Sequence, residues 1–312
     1  MADAPPPPQP PSGWNFAAMA ANVVQFLRLP VLASGGLAVV ASGMLYFKQN
    51  DLIYPRNIPA DSRTNVPKPS DFGMTNFEDL RIPTPDGEVL AAYFIRPSNR
   101  KIKAQVTVLM FHGNAGNIGH RAPIAHMLEQ QLDCNVFMLE YRGYGFSTGT
   151  PDEAGLKIDA QTALDYIRNR AELQGTKIVI HGQSLGGAVA IDLVAKNQKE
   201  GDIKALILEN TFLSIRKLIP SVFPAAKYVA RLCHQTWLNE EVLPKITTVP
   251  ILFLSGLKDE IIPPDHMLQL FSMSKGTECI WRTFPNGQHN DTVAEPMYFE
   301  YIHAFIVDEV LD

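Results

Sequence analysis

Cysteine is scarce in this 312-residue chain, and its three copies, Cys134, Cys233 and Cys279, stand far apart with no C-x-x-C pair among them. They supply neither a disulfide framework nor a zinc site and read as buried or idle thiols. None has a His and an Asn in recognisable order, which argues against a cysteine nucleophile. An excess of basic charge is also missing. With 27 Lys and Arg against 32 Asp and Glu the net charge is −5, and neither a zinc-finger nor a recognition-helix pattern occurs, so no nucleic-acid partner is expected. The H-E-x-x-H pattern is absent as well, and the chemistry developed below needs no metal or other cofactor.

Charge is missing locally too, from Leu29 to Phe47, a run bracketed by Arg28 and Lys48. A helix over those residues, at about 1.5 Å each, spans roughly 28 Å, the thickness of a bilayer's hydrocarbon core. Trp14 and Phe16 upstream and Tyr46 and Phe47 at the far end suit the two interfaces. A single-pass transmembrane helix at 29–47 is therefore expected, in the endoplasmic reticulum or plasma membrane. A cleaved signal peptide competes through Ala33-Ser34-Gly35, and an amphipathic or core helix is the remaining alternative. What precedes the run is a long proline-rich arm without lysine, unlike the short basic lead of a signal peptide. Residues 1–28 read as a disordered arm and juxtamembrane segment, and 48–71 as a linker. Lys48, Arg56 and Arg63 follow the run, which tilts the positive-inside rule toward a cytosolic domain. The sequon Asn290-Asp291-Thr292, next to a histidine singled out below, bears on the same question, and the side stays open.

The remainder, 72–312, with 46% hydrophobic residues in the chain as a whole, is long enough for one large α/β core. An opening hairpin, Asn76 to Pro83 and Glu88 to Ile95, gives way to alternating strand-like and helix-like stretches. The strands run Gln105–Phe111, Val136–Glu140, Lys177–His181, Ala205–Glu209, Ile251–Leu254 and Cys279–Phe284; the last helix is Pro296–Leu311. That rhythm predicts a mostly parallel eight-stranded sheet with helices on both faces. Residues 211–247 interrupt it with Ile215, Leu218, Ile219, Val222 and Phe223 at helical spacing. They read as a short cap offering an apolar wall, with an ordinary connecting helix as the bland alternative.

Between one strand and the next helix stands Gly182-Gln183-Ser184-Leu185-Gly186. In that setting G-x-S-x-G is a sharp turn that lifts a serine hydroxyl above the sheet, and its glycines admit close neighbours. Ser184 is the candidate nucleophile. A serine needs a base, and the base needs a carboxylate to fix its tautomer. Asp259 follows the Ile251 strand in a polar loop, and His289 follows the Cys279 strand in a glycine turn. The order Ser184, Asp259, His289 is the one a nucleophile-elbow fold requires. Glu260 and Glu209 are rivals for the acid. The oxyanion donors are expected at Leu185 and in the loop His112 to Asn117, where Asn114 is preferred and Ala115 is second. His112 and Arg142 read as structural, Arg142 in an ion pair.

At these residues the chain resembles the α/β-hydrolase superfamily and, within it, the bud-emergence protein family. The matching pieces are HGNAGN at 112–117, YRGYG at 141–145, GQSLGG at 182–187, ENTFLSI at 209–215, SGLKDEIIPP at 255–264 and FPNGQHNDT at 284–292. The resemblance implies an α/β-hydrolase fold and a membrane-anchored protein. The resulting expectation is a serine hydrolase that cleaves acyl esters or thioesters, of lipids or acyl-proteins, through an acyl-Ser184 intermediate. The contrasting one is a membrane scaffold that keeps the fold and dispenses with the reaction.

Overall fold

The computed structural model describes residues 36, 40, 42–43, 46–99 and 103–311. The arm expected at 1–28 lies outside them, as does most of the span expected at 29–47. No helix among the described residues is long and apolar enough to cross a membrane. The chain divides into two compact units, Met1–Phe47 and Lys48–Asp312, and the second carries everything that follows.

Its centre is one eight-stranded sheet in the order β1-β2-β4-β3-β5-β6-β7-β8. β1 (Phe77–Pro83) and β2 (Val89–Ile95) form an antiparallel hairpin, and β2 lies antiparallel to β4 (Asn135–Leu139). From β4 onward every pairing is parallel, through β3 (Val106–Phe111), β5 (Lys177–Gln183), β6 (Ile203–Glu209), β7 (Ile251–Gly256) and β8 (Cys279–Phe284). All six residues of β3 are buried, because helices cover both faces of a parallel sheet and its strands need apolar side chains on both. β5 shows the division. Ile178 and Ile180 enter one core while Val179, pointing the other way, enters the second.

The first two helices start where the sequence provides a cap. Asn117 accepts from His120 N at 3.1 Å to open α1 (Ile118–Leu132), and Asp152 accepts from Gly155 N at 2.6 Å to open α2 (Glu153–Asn169). α3 (Leu185–Asn197) follows β5 directly, and its Gly186, Gly187, Ala188 and Ala190 let it lie close on the sheet. α4 (Ile215–Val222) and α5 (Asn239–Val242) belong to the stretch expected as a cap. α6 (Pro264–Met273) and α7 (Tyr298–Ile306) follow, and the latter ends in a π turn, Val307–Leu311. Residues of α1 and α7 pack in one core; residues of α2, α3, α4 and α6 pack in the other.

Residues 48–71, expected as a linker, are part of this unit. Tyr54 is buried, its hydroxyl donating to Gln235 Oε1 at 2.9 Å and accepting from Trp237 Nε1 at 3.0 Å. Farther on, Asn117 Nδ2 donates to the carbonyls of Ser62 (2.9 Å) and Asn65 (2.8 Å). The segment is polar and short of regular periodicity, and its place is set by partners distant in the chain.

Candidate active site

The chain moves outward from β3 to β4 and then returns across the sheet to β5, so β3 and β5 neighbour each other at the point where the winding reverses. Crevices form there, at the carboxyl ends of the strands. Ser184 stands at that end of β5, with φ 55° and ψ −119°, a left-handed backbone that a non-glycine residue holds only under constraint. The constraint is close packing. A Cβ on Gly182 would overlap the Gly186 carbonyl, one on Gly186 would overlap the Phe111 carbonyl of β3, and one on Gly187 would come within 2.6 Å of the Thr211 side chain. Ser184 N donates to Glu209 O at 2.9 Å, and Thr211 Oγ1 donates to Ser184 O at 2.7 Å.

The three residues singled out from sequence meet in space. Ser184 Oγ lies 3.0 Å from His289 Nε2, and His289 Nδ1 lies 2.8 Å from Asp259 Oδ2. All three are buried. A carboxylate can only accept, so Nδ1 carries the proton toward Asp259 and Nε2 is left to accept from the serine hydroxyl. Asp259 Oδ1 meanwhile accepts from the main-chain N–H groups of Ile261 (2.9 Å) and Ile262 (2.8 Å), which fixes the carboxylate's orientation. The rival acids are occupied elsewhere: Glu260 Oε2 accepts from His289 N at 3.1 Å, and Glu209 Oε2 accepts from Tyr298 OH at 2.6 Å.

Two residues that the sequence left unassigned hold the histidine loop. Gln183 Nε2 donates to His289 O at 3.0 Å. Asn210, at φ 45° just past β6, donates through Nδ2 to Thr292 Oγ1 (2.9 Å) and to the carbonyls of Gln288 (3.2 Å) and His289 (3.3 Å), while its Oδ1 accepts from Gly256 N at 2.8 Å. The available signal was a polar residue directly after a buried strand, at a position asking for a left-handed backbone.

Leu185 is the first residue of α3, so its N–H is among the helix's first-turn donors that lack an intrahelical acceptor. On the other side runs the loop after β3, close enough that a Cβ on Gly113 would lie 3.6 Å from Ser184 Cβ. The Asn114 side chain is committed away from the serine, its Nδ2 to Ile53 O and its Oδ1 accepting from Tyr144 OH at 2.8 Å. With its side chain so anchored, the oxyanion donor considered at Asn114 is its main-chain N–H, and Ala115 lines the same cavity. Gly116 N is already bonded to Ile58 O at 2.8 Å. His112 Nδ1 lies 2.7 Å from Gly113 O, and Arg142 is paired with Asp86 at 2.7 Å and Asp159 at 2.8 Å.

Over Ser184 and His289 opens a cavity of about 280 Å³, walled by Leu52, Ile53, Phe212, Ile215, Leu218 and Ile219. A wider groove of about 550 Å³ lies at the opposite end of the strands, and its Arg96 is taken up by Glu78 and Glu172. Beneath the site, burial pushes the Glu209 carboxyl up to about 7 despite the Tyr298 hydrogen bond, and burial holds His181 down to about 4. Among the described residues no group of three or more His, Cys, Asp or Glu side chains is arranged to hold a metal ion.

A family model described as Hydrolase_4, Serine aminopeptidase, S33, matches residues 102–248. Protein bem46 of Schizosaccharomyces pombe is 44% identical over 93% of this chain and 96% of its own length. The uncharacterized membrane protein YNL320W of Saccharomyces cerevisiae is 38% identical over 88% of this chain and 94% of its own. Among solved structures, an esterase of Pyrococcus furiosus superposes with a TM-score of 0.63 at 17% identity, covering 78% of this chain and 93% of that one. An α/β hydrolase of Vibrio vulnificus does so with 0.65 at 20%, covering 82% and 91%.

Proposed function

Because the chain belongs to the α/β-hydrolase family that includes Protein bem46, we propose that it is a membrane-anchored serine hydrolase cleaving acyl esters or thioesters. The observation that carries this reading is the unbroken relay from Ser184 Oγ through His289 to Asp259, with links of 3.0 and 2.8 Å, opening into an apolar cavity. In the reaction His289 Nε2 takes the serine proton as Oγ attacks the carbonyl carbon. Asp259 steadies the imidazolium, and the Leu185 and Asn114 N–H groups receive the oxyanion. The tetrahedral species collapses as His289 gives its proton to the departing alcohol or thiol, leaving acyl-Ser184. Water, deprotonated by His289, then releases the acid. Phe212, Ile215, Leu218 and Ile219 supply an apolar wall for the acyl chain.

The anchor is proposed from the uncharged run at 29–47 and is supported by the naming of YNL320W as a membrane protein. Removal of 1–47 is expected to release the protein from washed membranes into the aqueous fraction.

The decisive experiment is fluorophosphonate labelling of the detergent-solubilised full chain beside Ser184→Ala and His289→Ala. Labelling and ester hydrolysis by the unaltered chain, both lost in the two variants, are expected. Hydrolysis undiminished in Ser184→Ala would sink the proposal, and a folded chain that neither labels nor hydrolyses would instead favour the scaffold reading.

A further inference from the structure

Arg121, in the first turns of α1, is the one charged side chain among the described residues lining the cavity. Arg142 is paired with Asp86 and Asp159, Arg168 with Asp202, and Arg170 with Glu78 and Glu172, while Arg63 and Arg216, which have no ion pair, donate to the Gly145 and Cys233 carbonyls. Arg121 makes no ion pair among the described residues, and its Nε is buried without a hydrogen-bond partner. Burial draws its pKa below the ordinary value, with Glu209 the opposing influence. That carboxyl accepts from Tyr298 OH at 2.6 Å and forms no ion pair with Arg121, and its burial disfavours the charged form, so it compensates the guanidinium poorly. A half-buried cation without an ion pair, its Nε shut off from solvent, is costly unless something completes it, and guanidinium presents a fork of donors matched to carboxylate or phosphate oxygens.

The cavity's two ends differ. Phe212 and Ile215 belong to the core on one face of the sheet. Ile118 and Ala122, on the helix that carries Arg121, belong to the core on the other face, together with Tyr298 and Ile302 of α7. The His289 loop leads into α7, and Asn290 lines the cavity with Arg121. Since His289 hands its proton to the leaving group, the leaving group lies on the histidine side. We infer that the substrate's leaving group bears an anionic group, phosphate or carboxylate, bound by Arg121 while the acyl chain lies along the α4 wall. This rests on the proposed hydrolase reading and narrows it. Ser184 Oγ bonds to the acyl carbon, the C–O bond to the anionic alcohol breaks, and that alcohol leaves with the His289 proton.

The test compares the full chain in detergent on 1-decanoylglycerol, its 3-phosphate, and the decanoyl ester of glyceric acid, the last two separating phosphate from carboxylate. For at least one anionic ester, kcat/KM about 10- to 100-fold above the neutral one is expected, the range that a charged hydrogen bond commands. Arg121→Met should bring the ratio to within about 3-fold of unity, and Arg121→Lys should keep part of it; should the Met variant not fold, Arg121→Gln takes its place. Equal turnover of all three esters by the unaltered chain, or an advantage that survives Arg121→Met, overturns the inference and leaves the hydrolase standing if Ser184 is still labelled. No labelling and no turnover of any ester overturns both.

Discussion

Ser184 keeps its strained backbone because three glycines leave no room for any other path, and the sharpest single-residue consequence falls on Gly186. A methyl there would overlap the Phe111 carbonyl, a strand atom that cannot yield. Gly186→Ala is expected to destabilise the domain by about 3 kcal/mol or more, or to prevent folding, as read by urea unfolding. Asp259→Asn probes chemistry instead. The amide oxygen can still accept from the Ile261 and Ile262 N–H groups that Asp259 Oδ1 serves, but the side chain no longer favours the imidazolium or the required tautomer. A fall in kcat of about 10⁴ with an unchanged melting temperature is expected, the size seen for that change in serine-protease triads. Above a tenth of the original kcat, Asp259 would not be the orienting acid.

Among the elements, β6 and its trailing residue connect two sites of the relay. Glu209 O receives Ser184 N, and Asn210 ties the β7 end to the histidine loop. Asn210→Ala leaves Gly256 N and the histidine loop short of partners, so stability should drop by about 1–3 kcal/mol. Because the loss loosens His289 rather than the apolar cavity wall, steady-state kinetics should show kcat falling more than KM rises. α4 is the converse case. Leu218 and Ile219 are only partly buried against the core yet face the cavity. With each buried methylene worth about 0.8 kcal/mol, Ile219→Asp should cut the preference for decanoyl over acetyl esters by about 10-fold or more while acetyl turnover changes little. An unchanged chain-length profile would remove α4 from the acyl site.

At the scale of the molecule, the packing of 48–71 makes the domain longer than its sheet. A chain begun at Lys48 should retain fluorophosphonate labelling, whereas one begun at Phe72 loses Tyr54 from Trp237 and Leu52 and Ile53 from the cavity wall and should lose it. Stability against pH follows from the two buried ionisable groups under the site. Glu209 is raised from 4.5 to about 7, so its contribution is full below 4.5 and is lost as pH rises through 7. His181 is lowered from 6.5 to about 4, so its contribution is present above 6.5 and is lost as pH falls through 4. Glu209→Gln should therefore gain on the unaltered chain between pH 5 and pH 8 by up to about 3 kcal/mol in urea unfolding. A constant difference across that range would show that Glu209 ionises normally.

The sequence by itself determined what short-range rules govern. Alternating buried strands and capped helices specified the sheet, and three glycines around Ser184 specified a tight strand-to-helix turn, because propensity and sterics act within a few residues. The order Ser184, Asp259, His289 was legible for the same reason, since each follows a strand whose end can be read locally. The sequence preferred Asp259 as the acid, but only the tertiary structure shows where its rivals go. Glu260 and Glu209 also stand near strand ends, and what removes them from the role is the hydrogen bond each finds elsewhere. The same holds for Gln183 and Asn210 on the histidine loop, for the polar segment 48–71, and for Arg121. Each is placed by partners, or by the lack of one, far away along the chain, where no periodicity reaches.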